Sequence, residues 1–178
     1  MKNILIRILV LVPFIFFGNA MAQTYTMTNG SISACSGTFY DPGGTGNYGN
    51  SQTFVYTICP STPGAKVIVN FTSFSLESSF DFLQVFDGNS TAAPSLGTYT
   101  GTAGPGIATA SVSNATGCLT FRFTSDGSVT YAGWVASIAC SVPCQTITAN
   151  LTSTTPAATS GIVKICQGGS VSFTGSGT

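Results

Sequence analysis

Hydrophobic and polar residues alternate along this chain in short runs rather than in helical stripes. Phe54 to Cys59 (FVYTIC), Lys66 to Phe74 (KVIVNFTSF), Asp81 to Asp87 (DFLQVFD), Cys118 to Ser125 (CLTFRFTS) and Gly133 to Cys140 (GWVASIAC) each carry the two-residue period of a half-buried strand. Between them lie PSTPG, DGNS, TGTAGPG and SDGS, whose Gly, Pro, Asn and Asp residues mark turns. No window beyond the N-terminal segment repeats its apolar residues every 3.6 positions. The pattern predicts an all-β fold, an antiparallel β-sandwich of short strands.

The same alternation predicts which faces are buried. In CLTFRFTS, Leu119, Phe121 and Phe123 share one face and Thr120 and Arg122 the other. Burying those three apolar side chains contributes roughly 1.5–3 kcal/mol each. In GWVASIAC, Trp134, Ala136, Ile138 and Cys140 line one face, which makes Trp134 the expected centre of the core.

The first 22 residues stand apart. Lys2 and Arg7 precede an apolar run from Ile8 to Phe17, and Ala20-Met21-Ala22 follows before Gln23. Basic, apolar and small-residue regions in that order form a secretory signal peptide, and the apolar run is short for a membrane span. Residues 1–22 are therefore expected to be removed on export and 23–32 to form a lead-in. The remainder is expected outside the cell or at its surface, with no membrane insertion after cleavage.

Charge is scarce. Past the signal, Lys66, Arg122 and Lys164 face five acids, so no basic patch exists for nucleic acid or an anionic membrane. With no histidine, Ser-His-Asp and Cys-His catalytic centres are excluded. All six cysteines, Cys35, Cys59, Cys118, Cys140, Cys144 and Cys166, follow the signal, which reads as disulfides made in an oxidising compartment. Four cysteines within the sandwich allow three pairings. Sequential pairing, Cys35 with Cys59 and Cys118 with Cys140, is preferred because it leaves Cys144 and Cys166 to each other.

Residues 141–178 differ in kind. After Pro143 the chain holds two short candidate strands, IVKIC and SVSFTG, and ends in mid-pattern. A stretch this short cannot bury a core of its own. It is expected to be a linker and the start of a second β-sandwich.

Of the five carboxylates, three lie in FSLESSFDFLQVFDG: Glu77, Asp81 and Asp87. Glu77 closes one expected strand, Asp81 opens the next, and Asp126 follows a third. A sandwich would bring Glu77, Asp81 and Asp126 to one end, where three carboxylates repel unless a cation or protons compensate. A hard divalent ion such as Ca²⁺ suits such an all-oxygen set. Asp87-Gly88 is a turn signal and is assigned to structure. Paired acids also serve glycoside hydrolysis, but only across a cleft, which nothing in this segment builds. The aromatic residues offered as sugar platforms are Trp134, Tyr99 and Tyr131.

Several of these stretches resemble a CUB domain. SACSGTFYDPGGTGNYGNSQTFVYTI is similar to its opening, PGAKVIVNFTSFSLESSFDFLQVFDGNSTAAPSLGTYTG to its central strands, and LTFRFTSDGSVTYAGWVASI to its closing hairpin. The resemblance covers residues 33–140 and implies a jelly-roll sandwich that binds extracellular proteins without catalysis. It also implies a calcium ion held by Glu77, Asp81, Asp126 and the main chain near Ser128, with Tyr40 or Tyr48 supporting the glutamate. The sequence departs from the family where Ser79 replaces a usual cysteine, where Cys59 falls late, and where the Glu77–Asp81 loop is short. Such departures resemble the secreted variant of the Bacteroidetes, and residues 141–178 resemble the start of a PKD (immunoglobulin-like) domain. The expected function is a calcium-braced module for protein interaction or adhesion. The alternative is an accessory domain that captures substrate or carbohydrate for a larger secreted protease or glycan-degrading enzyme.

Overall fold

The computed structural model describes residues 23–143 in full and, beyond them, the backbone of two strands, 145–148 and 162–165. Two five-stranded sheets face one another. One is ordered Thr24–Thr26 (β1), Ser36–Tyr40 (β3), Gly133–Ser141 (β10), Lys66–Ser75 (β5) and Ile107–Thr109 (β8). The other is ordered Gly30–Ser33 (β2), Thr53–Cys59 (β4), Leu119–Thr124 (β9), Phe82–Phe86 (β6) and Ser95–Tyr99 (β7). All pairings are antiparallel except β1 with β3 and β2 with β4. Gln145–Thr148 (β11) and Ile162–Ile165 (β12) pair antiparallel with each other.

The strongly alternating strands occupy the sheet centres, where both neighbours bury one face. Leu119, Phe121 and Phe123 are fully buried, and so are Trp134 and Ala136 on β10. Trp134 is ringed by Phe39, Phe71, Phe74 and Phe123, with centroids 5.5–6.4 Å away. The short or polar strands β1, β2, β3, β7 and β8 carry too little apolar pattern to stand out in the sequence. β1 and β2 come from the expected lead-in, which instead edges both sheets and sends Met27 into the core.

The disulfides are not sequential. Cys35 bonds Cys140, and Cys59 bonds Cys118. Register explains both: Ser36 lies opposite Ala139 and Ile58 opposite Leu119, so one further step sets each cysteine facing its partner. Their Cα atoms are 4.9 and 4.1 Å apart. Cys35 lies just before β3 of one sheet, whereas Cys59 ends β4 of the other. Cys144, Cys166 and SVSFTG lie outside the described residues.

Candidate metal centre

Three loops meet at one end of the sandwich. The first joins β5 to β6 and carries Glu77 and Asp81. Its backbone closes on itself, the Asp81 amide donating to the Glu77 carbonyl at 3.1 Å, and Ser79 turns it at a φ of 69°. Thr100 pins this loop from outside: its hydroxyl accepts from the Ser79 amide and donates to the Glu77 carbonyl, both at 2.9 Å. The short loop thus stays ordered where the family pattern would place a cysteine. The second loop follows β9 and carries Asp126, whose amide donates to Asp81 Oδ1 at 2.9 Å. Asp126 Oδ1 in turn accepts from the Ser128 amide at 2.9 Å, and Ser128 is exposed.

The third loop, between β3 and β4, supplies Tyr48. Its ring is buried edge-on against Phe123 with centroids 5.2 Å apart, and its hydroxyl joins the two acids. The hydroxyl donates to Asp81 Oδ2 at 2.5 Å and accepts from the Glu77 amide at 3.0 Å. Tyr48 rather than Tyr40 therefore supports the cluster, since Tyr40 lies in β3 paired with Val135.

Carboxylate oxygens of Glu77, Asp81 and Asp126 all lie within 4.8 Å of one another. Asp81 is fully buried, and Glu77, though half-exposed as a residue, has Oε2 shielded and without a hydrogen-bond partner. Desolvation, then repulsion from Asp126 and Asp81, raises the Glu77 pKa above the usual glutamate value. Burial and the bond to Asp81 raise that of Tyr48, which stays a protonated donor. A shielded acceptor with no donor, beside two more carboxylates, is the environment a cation would complete.

Other acids have different roles. Asp87 accepts from the Ser111 amide and from Asn114 Nδ2, at 3.0 and 2.7 Å, and lies apart from the cluster. Partial burial raises its pKa, but these bonds outweigh that and hold it below the usual aspartate value. β6 and β7 are joined by an eight-residue loop, 87–94, rather than a tight hairpin, so Asp87 braces that loop. Asp41 was not singled out by sequence reasoning, because Asp-Pro-Gly-Gly reads as a surface turn. It is fully buried, accepting from the Gly43 amide at 2.7 Å and the Trp134 amide at 3.1 Å. Burial lifts its pKa to about 6, against the lowering effect of those bonds. Gly133, at a φ of 66°, makes room for this contact, since a Cβ there would clash with the Asp41 carboxylate. Of the proposed sugar platforms, Trp134 is sealed in the core, Tyr99 is half-buried and Tyr131 is exposed.

A two-sheet sandwich with ladder-spanning disulfides and loops converging on an acidic cluster defines the class of protein, and comparison with known proteins agrees. The CUB domain family model matches residues 28–138. Cubilin of Rattus norvegicus is 33% identical over 148 residues, covering 70% of this chain and 4% of cubilin. Tolloid-like protein 2 of Mus musculus is 32% identical over 109 residues, covering 59% of this chain and 10% of its own length. Among solved structures, the full extracellular region of zebrafish Gpr126/Adgrg6 matches with a TM-score of 0.57 at 22% identity. That match covers 70% of this chain and 16% of the other. The MASP-1 CUB2 domain bound to Ca²⁺ matches with a TM-score of 0.50 at 21% identity, covering 63% of this chain and 98% of that domain. These structural likenesses concern the fold. The chain belongs to the CUB domain family. CUB domains are non-catalytic protein-interaction modules of extracellular proteins. The chain spans only a small fraction of the length of the curated relatives it matches.

Proposed function

We propose that this chain is an extracellular binding module whose loop end is braced by one Ca²⁺ ion. Glu77, Asp81 and Asp126 would hold the ion, with a main-chain oxygen near Ser128. The observation that carries this reading is Glu77 Oε2, shielded from water and unpartnered beside two other carboxylates. The bound ion would replace mutual repulsion with shared attraction and fix three loops relative to one another. The calcium named with the MASP-1 CUB2 structure supports the same assignment here.

The partner we propose is an extracellular protein, contacted by the calcium-ordered loops. Phe80, Val129 and Tyr131, exposed by 58, 52 and 43%, lie on those loops beside the acids and offer apolar contact area. Export through the signal at 1–22 and oxidised cysteines suit that setting. Residues 141–178 would lead into a PKD-like domain, as in the Bacteroidetes variants this chain resembles, with adhesion as the role of the whole.

The test compares thermal midpoints of the full exported chain with calcium and with chelator. A calcium-dependent rise that disappears in an Asp81→Ala, Asp126→Ala double variant supports the reading. An equal rise in the double variant contradicts it.

A further inference from the structure

We infer that the outer face of the β7-β6-β9 sheet is a second binding site, built to take a uronate-bearing oligosaccharide. This site is independent of the calcium reading: the carboxylates sit on loops at the sandwich end, whereas this groove lies on the sheet itself. It is an open depression of about 290 Å³ lined by Phe82, Gln84, Thr98, Arg122 and Thr124.

The register places these residues side by side. Gln84 lies opposite Arg122 on one side and Thr98 on the other, and Phe82 lies opposite Thr124. Three adjacent strands spaced ~4.8 Å make the groove about 10 Å wide, enough for about two sugar rings. Arg122 is the one exposed lysine or arginine among the described residues, since Lys66 is buried with its ammonium on the Asn114 carbonyl. Its guanidinium fork matches a carboxylate, while the Gln84 amide and the Thr98 and Thr124 hydroxyls match sugar hydroxyls. Phe82, half-buried, gives a sugar ring's C–H face an apolar surface.

An extended acidic peptide suits the groove less well. Such peptides gain most affinity by pairing backbone with an open sheet edge. The β7 edge is open, but the groove is lined by side chains of Phe82, Gln84, Thr98, Arg122 and Thr124 on the sheet face, so a ligand in it meets side chains rather than that edge's backbone.

The test titrates the full chain, in constant calcium, with trigalacturonate, its methyl ester and a peptide of equal negative charge. Saturable binding of trigalacturonate is expected, weakened at least tenfold by Arg122→Gln and again by methyl esterification. Gln84→Ala is expected to weaken it more modestly. Failure of the unaltered chain to bind overturns the inference, as does equal affinity in Arg122→Gln. Peptide binding of equal strength overturns it in favour of a protein ligand.

Discussion

Tyr48 and Asp81, 33 residues apart in sequence, share a 2.5 Å hydrogen bond from phenol to carboxylate inside the protein. The same phenol oxygen accepts the Glu77 amide, so one hydroxyl ties the loop after β3 to both acids of the loop after β5. Tyr48→Phe keeps the ring against Phe123 but leaves Asp81 Oδ2 and the Glu77 amide short of a partner. We expect a stability loss of about 1–3 kcal/mol, read from denaturant midpoints. Calcium affinity should fall about tenfold, equivalent to ~1.4 kcal/mol, as the ligands lose their brace.

Glu77 gives opposite effects with and without the ion. Its folded-state pKa lies above the usual glutamate value, so the calcium-free fold holds that proton more tightly than the unfolded chain. The Glu77 contribution to calcium-free stability is therefore full below the usual glutamate pKa and declines as pH rises through the raised value. Glu77→Gln should stabilise the calcium-free chain at neutral pH while reducing its stabilisation by calcium. Thermal midpoints at pH 7 in chelator and in calcium measure both arms.

Asp41 supplies a second pH signature remote from the acidic cluster. Burial lifts its carboxyl to about 6 in the fold, against an ordinary aspartate value of 3.8. The folded state binds the extra proton between those values, so this contribution is full below 3.8, falls as pH rises to about 6, and is level above. Asp41→Asn should flatten the slope between pH 4 and about 6, seen as the difference between variant and unaltered chain in chelator. Asp87 acts oppositely: its lowered pKa favours the fold above 3.8, and that contribution is lost as pH falls through the folded-state value.

The disulfides join distant segments, 105 residues apart for Cys35–Cys140 and 59 for Cys59–Cys118. Closing loops of these lengths restricts the unfolded chain by about 4–5 kcal/mol in the chain-entropy account. Replacing both members of either pair with serine should lower stability by an amount of that order. Non-reducing peptide mapping should link Cys35 to Cys140 and Cys59 to Cys118, with no Cys35–Cys59 peptide.

Much of this architecture was legible where burial on one face imposes a period of two. FVYTIC, KVIVNFTSF, DFLQVFD, CLTFRFTS and GWVASIAC became five of the six strands paired on both sides, and Trp134 took the core position its alternation indicated. Edge strands such as SLGTY and IAT bury little, so their residues carry no comparable pattern. Cysteine pairing was not legible because it depends on which strands neighbour one another and in what register. Strand-end position suggested grouping Glu77, Asp81 and Asp126, whose oxygens do lie together, and the Asp87-Gly88 turn signal set Asp87 aside. The burial of Asp41 was hidden because Trp134, which donates to it, lies 93 residues further along.

The central claim is that Glu77, Asp81 and Asp126 form a calcium site, and direct titration of the chelator-treated chain with calcium tests it. Calorimetry should show saturable binding of a single ion per chain, abolished by Asp126→Asn and weakened by Glu77→Gln. Absence of saturable heat, or unchanged binding in Asp126→Asn, would contradict the assignment.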